Sequence, residues 1–481
     1  MSRSQAVDDR RARDGLWSAR HRTLTVGLVL TITLVAFEAL AVSTVMPIVA
    51  ADLGDLELYG WVFTAFMLGS LIGIVVSGGV IDRRGLGVPF VVGIGLFAIG
   101  LIIGGLAPSM AVLVGARFLQ GLGAGAIPPI AYVAIGRSLP EWLRPRMFAV
   151  LSTAWVLPGV IGPAIAGLIG ETAGWRFVFL GLLPVILLAA VISYPAIRRI
   201  GPAAADAALE ESRAAGSLRR RLPLALLVAG GAGLFLAGLT SGEPVALVGL
   251  VAVGLALAIP ALRGLTPAGT LKAARGMPTA VLLRGLLTFA FFGVDAYVAL
   301  ALVEWRGQSA VQAGLSLTAA TLTWTAGAWV QAHFAHRWGP ERFVQAGFLV
   351  VVAGLAAFGI VLLPAVSPWM AIPTFGLAGL GMGLAYSPLT LIVLRDAPVG
   401  EQGSASSALS LTDSLGTALG TGVTGAIVAA AVRGTGAPVS GLVVGFAVAI
   451  GVGLAGVALC TRLSPAAATP ARVSTAPARG S

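Results

Sequence analysis

"SGGVIDRRGLGVPFVVGI", residues 77–94, sets one aspartate and two arginines among glycines in a single turn between two long apolar runs. The surroundings decide how that turn is read. Of 481 residues, 57% are hydrophobic and only 11% charged, where a soluble globular chain carries about 25% charge. Mean hydropathy is +0.95. The composition is that of an integral membrane protein, and the charged turn is a connection between two membrane spans.

A helix needs about 20 mostly apolar residues to cross a bilayer core. Working outward from the turn, runs of that kind occupy 24–48, 60–80, 88–106, 111–134, 147–169, 176–197, 223–240, 244–262, 279–303, 310–332, 343–364, 369–393, 405–431 and 439–461. They are continuous rather than alternating, which predicts helices and not barrel strands. The expectation is an all-α polytopic membrane protein with about 14 transmembrane helices.

The net charge of +11 would raise the question of nucleic acid in a soluble domain. Here the bases sit in short loops. With the N-terminus inside, 26 of the 31 lie on inner segments, whereas the outer connections hold Arg176, Arg306 and Arg433. That bias predicts both termini in the cytoplasm and a lipid bilayer, not nucleic acid, as the partner. Trp61, Trp175, Trp305 and Trp369 fall at outer ends, as an interfacial aromatic belt does. The first run is too long for a cleavable signal core and reads as a retained span. Cys460 is the single cysteine, and His21, His333 and His336 lack a partnering cluster. Neither a metal site nor a cofactor is expected, and no P-loop points to ATP.

Sliding the turn by 254 positions lands on "QAHFAHRWGPERFVQAGF" (331–348), where His336, Arg337 and Gly339 replace Asp82, Arg83 and Gly85. "GLGAGAIPP" at 121 returns loosely as "GLGMGLAYSP" at 379, "GPAIAGLI" at 162 as "GTGVTGAI" at 420, and Glu38 as Asp295. A near-constant offset across four features, 254 for the turn and 257 or 258 for the others, predicts two homologous six-helix bundles with two extra helices between them. The boundaries are a cytoplasmic N-terminal tail 1–23, a bundle 24–197, a cytoplasmic loop 198–222, two inserted helices 223–262, a second loop 263–278, a bundle 279–461 and a disordered tail 462–481.

These stretches resemble the major facilitator superfamily, in particular its fourteen-span drug:proton antiporter branch. "GGVIDRRG" (78–85) is similar to that family's loop between spans 2 and 3, "LVGARFLQGLGAG" (113–125) to its span 4, and "PGVIGPAIAG" (158–167) to its span 5. "FEALAVSTVMP" (37–47) resembles the acid-to-proline signature of span 1, and "WRFVFLGLLP" (175–184) the entry to span 6. The resemblance departs at Leu86 and Gly87, where further bases are usual, and at Ala332, where the family has glycine. It implies a gating role for Gly78, Asp82, Arg83, Gly85 and Arg337, and a conformational motif at Gly159, Gly162, Pro163 and Gly167 associated with antiport.

Physical chemistry weighs each residue separately. Asp82 is expected to begin span 3, accepting backbone N–H groups at a helix N-terminus. Either the turn is only a reversal with topogenic arginines, or Asp82 pairs with Arg137 or Arg144 as a latch. Arg117 is expected about 9 Å inside the outer end of span 4, where it either snorkels or faces a polar interior containing Gln120 and Gly121. In the second case Glu38 of span 1 can meet it. Arg284 is expected to snorkel at the inner end of span 9. Proton coupling needs a group protonated on one face and deprotonated on the other, and a carboxylate in an apolar cavity can serve. Glu38, Asp295 and Asp413, with Arg117, are the candidates. Small residues in span 5 pack helices closely, and Pro158 and Pro163 can kink it. Trp155, Trp324, Trp329 and Met382 read chiefly as packing residues. Trp155, Tyr297 and Tyr386 are candidate cavity contacts for an aromatic substrate.

The buried polar residues form no nucleophile, base and acid set, so an enzyme is not expected. The expected function is proton-coupled export of drugs or other amphipathic cationic compounds by a monomer in the inner membrane of a bacterium. The alternatives are a specific exporter of an endogenous metabolite or lipid, or a membrane-embedded sensor or enzyme.

Overall fold

The computed structural model describes residues 15–464 except 55–58, 202–206, 242, 309, 399–400 and 436–438. The tails expected at 1–23 and 462–481 fall largely outside the described residues; of the loop expected at 198–222 only 202–206 do, and from Ala207 onward it is helical, continuous with the helix that runs to Thr240. The fold is helical throughout, with no strand among the described residues. In the first part of the chain lie α1 (Arg22–Leu53), α2 (Tyr59–Arg84), α3 (Gly87–Gly105), α4 (Met110–Ala124), α5 (Ile127–Ser138), α6 (Arg144–Thr153), α7 (Val156–Ile169), α8 (Arg176–Leu180) and α9 (Leu182–Ile197). Then come α10 (Ala207–Thr240) and α11 (Pro244–Leu265), followed by α12 (Met277–Asp295), α13 (Ala310–Trp338), α14 (Pro340–Ile360), α15 (Ala371–Asp396), α16 (Gln402–Thr435) and α17 (Val439–Leu459).

Eleven stretches among the described residues are long and apolar enough to cross a membrane. The runs at 147–169, 310–332 and 405–431 are not among them. The first is split where Pro158 cannot continue the hydrogen-bonded ladder, leaving α6 and α7 as two short helices. The other two belong to full-length helices: α13, diluted by Ser, Thr and Gln, and α16, polar in its first half and apolar in its second. α6 packs on α13 and α15, and α16 packs on α2 and α5.

Within residues 22–197, α4 packs on α2 and α3, and α1 on α7 and α9; within 277–462, α15 packs on α13 and α14, and α12 on α16 and α17. α10 lies against α11, α2 and α16, so this pair borders the seam between the two groups.

The turn at 84–87 shows how the sequence sets the path. Helix α2 continues through Asp82 to Arg84, and Gly85 then reverses the chain with φ 71°, a left-handed conformation that glycine alone adopts freely. The Gly85 amide donates to the Ile81 carbonyl at 3.0 Å. Asp82 therefore stands in the last turn of α2, not at the start of the next helix, and α3 begins after Leu86 with no side-chain cap. The expected N-terminal cap is wrong because the reversal comes three residues later than expected. At a helix C-terminus the dipole favours Arg83 and Arg84. Gly339, 254 positions on, makes the same reversal with φ 73°.

Close approach of backbones completes the framework. A Cβ on Gly121 would overlap the Phe66 carbonyl of α2, and one on Gly383 the Trp324 carbonyl of α13. Gly379, 258 positions beyond Gly121, likewise meets the Ala320 carbonyl of α13, so glycines at the repeat offset bring α15 against α13 as they bring α4 against α2, with the contact shifted by one helical turn.

At the face opposite the basic loops, Asp52 accepts hydrogen bonds from the Trp175 indole (3.0 Å) and from Arg176 (2.8 Å). Those two donors hold its carboxyl below the ordinary aspartate value. Trp175 is only 3% exposed, so it pins α1 to α8 rather than joining an interfacial belt as expected.

Gly121→Ala is expected to cost about 1–3 kcal/mol, because a methyl cannot enter without parting α2 from α4. Gly115→Ala, at an open position on the same helix, leaves thermal stability in detergent unchanged or slightly raised. Equal melting temperatures for the two variants would contradict this packing.

Candidate membrane-embedded charge sites

Two arginine–carboxylate centres lie inside the helical body. In the first, Arg117 of α4 donates to Glu38 Oε1 of α1 and, at 2.8 Å, to Gln120 Oε1 one turn along its own helix. Its Nε reaches the Val62 carbonyl of α2 at 3.4 Å, and its guanidinium lies 4.3 Å from the Phe66 ring centroid. Arg117 is 3% exposed, and Glu38 and Gln120 are fully buried. Arg117 does not snorkel. Three helices supply what a buried guanidinium requires: an anion, polar acceptors and an aromatic face.

One oxygen of that carboxylate is left over. Glu38 Oε2 and Gln120 Nε2 are both buried without a hydrogen-bond partner. Buried polar atoms are rarely left so, and an unpaired carboxylate oxygen beside an arginine-bound one is a place for a proton.

The second centre was not legible in the sequence. Arg284 of α12 is fully buried, which overturns the expectation that it snorkels to the surface. Its Nη2 donates to the Tyr386 carbonyl (2.8 Å) and to Thr390 Oγ1 of α15, and its guanidinium lies 3.5 Å from the Tyr386 ring centroid. Nη1 stands 3.8 Å from Asp413 Oδ1 of α16. The Tyr386 hydroxyl donates to Asp413 Oδ2 at 3.0 Å. Thr288 of α12 donates to the Asp413 carbonyl at 3.0 Å. The Asp413 side chain is 25% exposed and its Oδ1 lacks a hydrogen-bond partner. The available signal was the pairing of one base in span 9 with one acid in span 13, but linear spacing carries no information on which helices touch.

The other expected residues divide. Asp295 ends α12, half-buried, and among the described residues no ion pair reaches it. The position 258 beyond Arg117 is Phe375, so no arginine answers this acid. Instead Phe375 stacks on Phe291 (5.4 Å, 20°), and Trp324 sits 5.6 Å from Phe291 and 5.4 Å from Tyr386. Tyr297 turns its hydroxyl onto the Thr421 carbonyl at 2.9 Å. Trp155 is 43% exposed and Met382 fully buried. Gly159 faces Thr321 across the seam; Gly162 is buried and Gly167 half-buried.

Of the loop residues, Gly78 lies against Ser407 of α16 so closely that a Cβ would overlap it. Arg83 is half-buried and Arg337 exposed. The side chains of Asp82 and Pro163 lie outside the described residues. Arg137 reaches Gln402 of the other group at 3.4 Å and the Gly201 carbonyl at 3.1 Å. Arg144 instead binds the Gly136 and Leu139 carbonyls of its own loop. Hydrogen bonds joining the two helix groups cluster toward the basic loops. Ser407 donates to the Ile74 carbonyl (2.8 Å), Thr325 to the Ser152 carbonyl (3.3 Å), and Trp329 to Thr153 (3.0 Å).

Comparison with known proteins bears on what such a body does. The sequence model of the Major Facilitator Superfamily matches residues 28–421. A probable multidrug-efflux transporter of Mycobacterium tuberculosis is 28% identical over 433 residues, covering 87% of this chain and 89% of that protein. The multidrug transporter protein MdtP of Bacillus subtilis is 26% identical over 429 residues, covering 86% and 76%. Among solved structures, a human organic anion transporter is similar at TM-score 0.66 with 16% identity, covering 91% of this chain and 99% of its own. A proton:xylose symporter is similar at 0.66 with 14% identity, covering 92% and 95%.

Removing one partner of the first centre leaves a buried charge alone. Arg117→Ala is expected to lower stability by about 3–5 kcal/mol, and adding Glu38→Gln to recover more than half of the loss. A denaturation series on the single and double variants measures this; a double variant no more stable than Arg117→Ala contradicts the pairing.

Proposed function

Because the chain belongs to the major facilitator superfamily, a family of multi-pass transporters and not of enzymes, we propose that it exports amphipathic or cationic drug-like compounds in exchange for protons. The observation that carries this reading is the Glu38–Arg117 pair, fully buried among the helices with one carboxylate oxygen unpaired. An intramembrane charge is costly and persists where it has work to do. Ionised Glu38 is held by Arg117; protonated at Oε2, it weakens that bond and changes the fit of α1 against α4. Alternating exposure of the carboxylate to the two faces turns a proton gradient into transport.

The substrate reading rests on the other group. Phe291, Phe375, Trp324 and Tyr386 form an aromatic cluster beside partly exposed Asp413, a pairing of π faces and negative charge that suits aromatic cations. The relatives named multidrug-efflux transporters point the same way.

The topology belongs to the same proposal. The stretches 144–169, 310–338 and 402–435 cross the membrane as well, giving fourteen spans in two six-helix bundles with α10 and α11 as the extra pair. The basic loops face the cytoplasm of a bacterial inner membrane. The protein works as a monomer, closed on that side in the present conformation.

The test uses everted membrane vesicles with a fluorescent cationic dye in the bath, where the cytoplasmic face is exposed. The parent protein moves dye when a pH gradient is imposed and stops when a protonophore collapses it. Glu38→Gln is expected to reduce gradient-driven transport at least about tenfold, the scale of one lost coupling interaction of ordinary strength, while exchange of dye for dye continues. Unchanged gradient-driven transport in that variant would rule out Glu38 as the proton carrier.

A further inference from the structure

We propose that the cavity where α10, α11 and α16 meet on the basic face holds the headgroup of a zwitterionic phospholipid, its phosphate on Arg221 and its primary ammonium on Glu401. The cavity measures about 110 Å³ and is lined by Arg221 of α10, Leu265 and Thr266 at the end of α11, and Glu401, Ala405 and Ala408 at the start of α16. Ala405 and Ala408 follow Glu401 by four and seven positions, so the three share one helix face. Small residues on that face leave open a space that one cation and one anion border.

The chemistry of the lining selects the ligand. Among the described residues neither Arg221 nor Glu401 has an ion-pair partner. Arg221 presents N–H donors in a fork that suits phosphate oxygens. The Thr266 hydroxyl donates to the Leu262 carbonyl at 2.8 Å, so what its oxygen offers the cavity is lone pairs, and Glu401 adds a carboxylate. Those acceptors suit an ammonium group. A purely anionic headgroup would satisfy Arg221 and be repelled by Glu401, whereas a zwitterion satisfies both. Size agrees: at about 10–15 Å³ for each water-sized atom, the space takes roughly eight non-hydrogen atoms. Ethanolamine phosphate is of that size, and choline phosphate is bulkier.

The surroundings of the cavity point to a lipid rather than a soluble compound. Helix α11 is apolar but for Arg263, and only 11% of its span is buried. Ile259 and Leu255 stand seven and eleven positions before Thr266, on the face that leads to it, and are 39% and 41% exposed. An apolar track thus runs from the cavity along α11, and in a bilayer acyl chains cover such a surface. A headgroup held at its end ties α10 and α11 to the first turn of α16. The inference rests on the reading above that the basic face lies at a membrane surface, and on no step of proton exchange.

The experiment measures binding in purified protein in detergent, with neither gradient nor drug, so its failure is separate from a failure of the transport reading. The probe is phosphatidylethanolamine carrying a fluorophore on one acyl chain, read by anisotropy and displaced by unlabelled compounds. Phosphatidylethanolamine is expected to displace it at about tenfold lower concentration than phosphatidylglycerol, which keeps the phosphate and lacks the amine, the effect of one charge-assisted hydrogen bond. Glu401→Gln is expected to erase that preference. Arg221→Gln is expected to weaken both lipids about tenfold, and Arg221→Lys, still a phosphate binder, to retain most of the affinity. Arg263→Gln, exposed on α11 and not part of the lining, changes neither. Equal displacement by the two lipids, a preference that survives Glu401→Gln, an equal loss in Arg263→Gln, or displacement by free ethanolamine phosphate at the concentration where the lipid acts would overturn the site.

Discussion

A guanidinium in the interior of a membrane protein must be given a counter-charge and acceptors, or the fold cannot keep it there. Much of the first helix group can be understood from that constraint on Arg117. Glu38 brings α1 to it, Val62 and Phe66 bring α2, and Gln120 shares its own helix. The approach is close enough for this only because Gly121 presents no side chain to the Phe66 carbonyl. Small residues and a buried charge are thus parts of one arrangement, since the first sets the helix spacing at which the second is satisfied.

The second group keeps the scaffold and changes the chemistry. Glycines 379 and 383 bring α15 onto α13 as Gly121 and Gly125 bring α4 onto α2. At the positions answering Arg117 and Phe66 stand Phe375 and Trp324, and an aromatic cluster fills the space. The charge pair of this group lies elsewhere, between α12 and α16, where Arg284 and Asp413 meet under the Tyr386 ring. The backbone geometry, which depends on glycine positions, recurs between the groups, while the side-chain chemistry differs. One group carries a sealed ion pair, the other an ion pair open on one side.

Between the groups lies a seam built from the least apolar helices. α13 and α16 carry the hydroxyls and amides that α6, α7 and α2 face, and the hydrogen bonds there run to backbone carbonyls exposed by glycine and by the break before Pro158. Helix α11, by contrast, is apolar but for Arg263 near its C-terminal end.

Composition and run length alone determined that this is a polytopic helical membrane protein. A fixed offset between "GGVIDRRG" and its degraded copy marked the duplication, and the structure repeats it in Gly85 and Gly339, both left-handed for want of a Cβ. The juxtaposition of Glu38 and Arg117 was also legible, because an arginine deep in an apolar run demands an acid and few are available. Tertiary structure alone decided where Arg284 points and that Asp82 closes a helix rather than opening one. Depth in a membrane is a one-dimensional property that residue spacing measures. Which helix faces meet, and on which side of the seam, depends on packing between segments hundreds of residues apart, and local sequence carries no signal for it.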